Sequence, residues 1–113
     1  MGAVAFNVTG LTDRSPVIDG RLVEFGHIFS LSARIAAGST STGRTHVQAG
    51  IFDGVAVEQR IIAVLLDDYV YDGHMPSWTG KLPMDEGTGF FGIVRSADGV
   101  TVQFAAYVQK HDP

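Results

Sequence analysis

The chain contains no cysteine and only four prolines, and no apolar run approaches the roughly 18 residues that a membrane-spanning helix needs. Without thiols, disulfides, thiolate zinc sites and cysteine nucleophiles are excluded, so packing alone must hold the fold. Basic residues are also scarce. Eight Lys and Arg stand against twelve Asp and Glu, a formal charge of -4, which lacks the basic footprint that binding along a phosphate backbone requires. The start, Met1 to Phe6, has neither the positively charged nor the long apolar part of a secretory leader. The reading is therefore a soluble chain without a signal peptide, cytoplasmic or part of a virion, with neither nucleic acid nor membrane as a partner.

What is present suits one small domain spanning 1–113. At 113 residues, 45% of them hydrophobic, the chain is long enough to bury a core and too apolar to stay disordered. From Phe25 to Ala37 residues alternate, with Phe29, Leu31, Ala33 and Ile35 apolar on one parity, the period-2 signature of a half-buried strand. The alternation resumes at Val47, Ala49 and Ile51 after the Gly38–Gly43 stretch. These two segments are expected to form a hairpin turning at Thr40 or Ser41, with Arg34 near His46 or Gln48. A second hairpin is expected at Ala97-Asp98-Gly99, a strong turn signal between apolar runs. Gly99 as a left-handed bulge would group Phe90, Val94, Val102, Phe104, Ala106 and Val108 on one face. The other face keeps Phe91, Ile93 and Tyr107 and therefore asks for a further layer or a second subunit.

Ile51 to Val57 reads as a tight turn. Arg60 to Leu66 reads as a buried strand because β-branching suits a pleated surface, with one short helix around 55–66 as the alternative. Ala3–Val8 and Val17–Val23 are shorter strand candidates. Six to eight strands with turns every 8–12 residues predict an all-β fold: a small antiparallel β-sandwich, jelly-roll-like, or a closed β-barrel. Gly73–Gly89 is the longest segment without strand character and is expected to be an interface arm, stiffened by Pro76 and Pro83.

Motifs for chemistry are weak. The four histidines (His27, His46, His74, His111) lack metal-site spacing. The acidic set Asp67, Asp68, Asp72, Asp85 and Glu86 matches no calcium loop, and neighbouring Asp67 and Asp68 point to opposite faces of a strand. Gly43-Arg44-Thr45-His46 is similar to a segment of the fumarase and aspartase superfamily, but over only about six residues, and carries no function across. No metal and no cofactor is expected. Tyr69, Tyr71, His74 and Trp78 gather aromatic edges beside acidic groups, the chemistry of an interface anchor or a saccharide platform. With Phe91 and Tyr107 they are the candidate ligand-binding or interface residues; no catalytic residue is assigned.

Three functional classes follow. The first is a non-enzymatic structural or assembly protein, a homo-oligomer or one copy in a larger shell such as a phage decoration or tail component. The second is a small barrel holding an apolar small molecule among Phe29, Leu31, Val102 and Phe104. The third is a carbohydrate-binding module built on Trp78 and the tyrosines.

Overall fold

The computed structural model describes residues 2–11, 13, 15–23, 26–39, 43–53, 61–71, 73–85, 87–96 and 99–110. Among these, eight strands follow in order: β1 (Gly2–Thr9), β2 (Val17–Leu22), β3 (Gly26–Ile35), β4 (Thr45–Asp53), β5 (Ile61–Val70), β6 (Ser77–Met84), β7 (Thr88–Ser96) and β8 (Thr101–Lys110). They form two four-stranded antiparallel sheets, β1-β8-β3-β6 and β2-β7-β4-β5, packed face to face. This order is that of a jelly-roll sandwich. Among the described residues neither sheet closes on itself or on the other, so of the two expected folds the sandwich is the one present.

Alternation along each strand selects the buried side. On β8, Val102, Phe104, Ala106 and Val108 are buried while Tyr107 is exposed; on β7, Phe90 and Val94 are buried. Phe6 of β1 meets them from the same sheet as β8, its ring centroid 5.1 Å from that of Phe90 and 5.8 Å from that of Phe104. The Arg21 guanidinium lies 4.7 Å above the Phe6 ring, so its stem and cation cover the core where β1 and β2 meet. Gly92 of β7 lets the sheets approach. A methyl built there would fall inside the ring of Phe104.

Both expected hairpins are corrected. Segment 25–37 contributes β3 to one sheet and segment 47–51 contributes β4 to the other; β7 and β8 are divided in the same way. The side chains predicted to share a face do bury together, yet they meet across the sandwich and not along one sheet. Alternation specifies the buried face, and that face is the same whether the partner lies beside it or opposite. Gly38 and Gly99, with φ of 84° and 77°, turn the chain between layers, positions where only glycine is unstrained. The crossover is tied down at its foot: Ala36 N–H donates to Thr101 O at 2.9 Å and Thr101 N–H to Ser39 Oγ at 3.0 Å. Arg34 accordingly points its Nε to Gln103 Oε1 at 2.5 Å, not toward His46 or Gln48.

Three further expectations change. Phe29 is not a core residue: a register shift between Ile28 and Ser30 places Ile28 inside instead, as a β-bulge does to one residue of a strand. Residues 61–66 are strand and not helix, yet β5 is an edge strand with Ile61, Ile62 and Val64 exposed; the rest of the 55–66 helix alternative and the turn at 54–57 lie outside the described residues. The 73–89 arm is in its middle a strand, β6, which among the described residues pairs with β3 alone. Gly80 and Pro83 hid it, and an edge strand is where such residues are tolerated.

Candidate functional site

The six candidate residues fall in four places. Phe91 is fully buried, clustered with Phe52, Ile93 and Ile18 on the outer face of the second sheet. It sits opposite Gly20 of β2 and Gly50 of β4. Phe91 is thus packed within its own subunit among Phe52, Ile93 and Ile18. Trp78 shares the inward face with its partner Leu31 and packs against the core. Its indole lies over Gly80, where a methyl would come within 2.7 Å of the ring. Tyr107 stands exposed on the outer face of the first sheet, facing Ala3 and Ser30 on the neighbouring strands.

Tyr69, Tyr71 and His74 remain together around the end of β5. Tyr69 is paired with His46 of β4, ring centroids 5.1 Å apart. Beside it, Asp67 accepts hydrogen bonds from His46 Nε2 at 2.5 Å and from Gln48 Nε2 at 3.1 Å, and Gln48 Oε1 accepts one from Arg95 Nε. A polar chain thus crosses β5, β4 and β7. His46 and Asp67 are 21 residues apart, so only the strand register reveals them as partners. On the other side of β5, Gly73 at φ 81° closes a turn in which His74 N–H donates to Tyr71 O at 2.9 Å. The two rings stack at 4.8 Å, 19° from parallel. Asp68 Oδ2 lies 3.6 Å from His74 Nε2, and the Arg44 guanidinium 5.6 Å from the Tyr71 ring centroid. A shallow cavity of about 250 Å³ opens here, lined by Arg34, Ile35, Tyr71, Gly73, His74 and Met75. Among the described residues no three metal-ligating side chains converge.

The hydrogen bonds from His46, and then from Gln48, hold the Asp67 carboxyl below its ordinary value of 3.8. A carboxylate depressed on folding adds stability that is fully present above the unfolded value and is lost as pH falls through the folded one. Acid should therefore loosen the β4–β5 ladder below about pH 3.8. Urea midpoints followed from pH 5 to pH 2 should fall more steeply for the native chain than for Asp67→Asn; parallel curves would remove Asp67 from the account.

The architecture defines an antiparallel jelly-roll sandwich. No protein-family model matches the chain, and no curated protein matches its sequence. Among solved structures it is similar to the GH26-CBM35 β-(1,4)-mannanase of Podospora anserina, with a TM-score of 0.50 and 14% identity over 99% of this chain and 29% of the other. A protein from Sulfurospirillum deleyianum matches at TM-score 0.48 and 9% identity, over 96% and 99% of the two chains. The core of the Drosophila NLP protein, described for pentamer formation and histone binding, matches at 0.46 and 8%, over 94% and 98%. These likenesses concern the fold alone. No helix among the described residues is long and apolar enough to cross a membrane.

Proposed function

We propose that this chain is a non-enzymatic assembly subunit, joined to further copies through the β5 edge and the turn that follows it. One observation carries the reading. Of the nine large hydrophobic residues left exposed among the described residues, six (Ile61, Ile62, Val64, Tyr69, Tyr71 and Met75) lie within residues 61–75. An open strand edge is a template for another strand, and proteins usually guard it with charge, proline or a bulge. The β2 edge carries the Asp19–Arg21 ion pair at 2.9 Å, and β6 carries Lys81, Pro83 and a register irregularity. From Ile61 to Leu66, β5 has no charge, no proline and no glycine; its pairing with β4 shifts register twice there, so bulges are the one guard it carries. A second copy laid along it would satisfy its free backbone groups and cover its side chains together. The reading includes a homo-oligomer and a place in a larger shell, such as a phage decoration or tail component.

The saccharide alternative loses Trp78, which is turned into the core. The apolar-ligand alternative would use an open cavity of about 460 Å³ beside Pro16, Ile18, Ile61 and Ile93. Sedimentation velocity tests the proposal. The native chain should associate at micromolar concentration, and Ile62→Lys or Val64→Lys should weaken association by about tenfold or more. Leu22→Lys, equally exposed but on the guarded β2 edge, should leave it unchanged. A native monomer would overturn the reading. Dissociation by Tyr107→Glu but not by the β5 variants would move the contact to the outer face of the first sheet.

A further inference from the structure

We infer that the cavity between the end of β3 and the turn after β5 binds a small organic anion, a carboxylate or phosphate carried on a flat or apolar body. One arginine lines it and a second stands beside one of its walls. Arg34 lines the cavity with its Nε held by Gln103, which leaves the outer guanidinium nitrogens pointing away from that bond. Arg44 stands over the ring of Tyr71, another lining residue. Among the described residues neither arginine meets a carboxylate within ion-pair distance, whereas Arg21 does. Two guanidiniums that meet no carboxylate among the described residues, one lining the cavity and one beside its Tyr71 wall, favour negative charge there, and their planar donor forks suit carboxylate and phosphate oxygens.

The walls set the rest of the ligand. Ile35 and Met75 supply apolar surface, and the stacked Tyr71 and His74 rings present a flat, fixed edge. Among the described residues, the acidic group beside the cavity is Asp68, which faces His74 at 3.6 Å, so its charge is directed to the imidazole. Gly73, in the left-handed region and with open space where a side chain would stand, leaves the floor of the cavity uncovered.

The site needs no second copy, but it shares Tyr71 and Met75 with the proposed assembly surface, so assembly would compete with the ligand. The test is an amide and arginine-Nε NMR titration of the full chain with benzoate, phenyl phosphate and neutral benzyl alcohol. Both anions should shift the Gly73, His74 and Arg34 signals saturably, with dissociation constants in the millimolar range, and the stronger of the two identifies the preferred anion. Arg34→Gln and Arg44→Gln should each weaken binding by about fivefold or more, their unchanged remaining spectra reporting an intact fold. Val64→Lys, which blocks the proposed assembly, should bind at least as tightly as the native chain does. Absence of a saturable shift, equal shifts with benzyl alcohol, native-like binding by both arginine variants, or loss of binding in Val64→Lys would each overturn the site.

Discussion

Truncating Phe104 to alanine should lower the unfolding free energy by about 3–5 kcal/mol, the range for a fully buried aromatic that leaves a cavity. Gly92→Ala should cost about 1–3 kcal/mol for the opposite reason. Its methyl has no room against the Phe104 ring, and the ring, buried among strands of both sheets, cannot swing aside without moving them. The two changes are coupled through the same space. Once Phe104 is truncated, the alanine at 92 occupies part of the void, so the double variant should be more stable than the sum of the single losses predicts, by about 1 kcal/mol. Urea unfolding of the four proteins measures this directly. Additive losses would mean that the ring is not seated on Gly92.

The second large effect concerns Trp78. Its removal should destabilise the subunit by about 2–3 kcal/mol, somewhat less than a fully enclosed aromatic because the indole is only half-buried. Association measured under native conditions should change less than twofold. An interface arm would behave in the reverse manner, keeping the melting temperature and losing assembly. Thermal unfolding and sedimentation velocity on Trp78→Ala therefore decide between an inward and an outward indole, and a blue-shifted native emission that moves red on unfolding provides an optical check.

Which residues bury themselves was largely readable from alternation alone. Phe90, Val94, Val102, Phe104, Ala106 and Val108 all enter one core, because side-chain direction along a strand depends only on its own dihedrals. Which strands hydrogen-bond was not readable, since a turn marked by glycine carries a chain equally well to an adjacent strand or to the opposite sheet. The bulge at Phe29 shows the same limit on a smaller scale: one unpaired residue shifts the parity, and Ile28 replaces it inside. At the candidate site, Tyr69, Tyr71 and His74 were found because they are neighbours in sequence. Arg34, Arg44 and the His46–Asp67 pair depend on a register that local pattern does not encode. The exposed stretch of β5 looked like core because an uncharged run reads alike on a central strand and on an open edge.

The strand order also dictates when the molecule can exist during synthesis. Of the six ladders among the described residues, four run through β7 or β8; only β3–β6 and β4–β5 are independent of them. A nascent chain that has emerged only as far as β6 therefore holds two separate pairs of strands, with β1 and β2 unpartnered and no sheet in either layer. The first strand waits for the eighth, Thr9 closing on Thr101 across 92 residues. Such distant closure is slow and leaves apolar strands unprotected in the interval. Folding of these two sheets is thus concerted and waits on β7 and β8, and the period just before they arrive is when the apolar side chains of β5 are least protected.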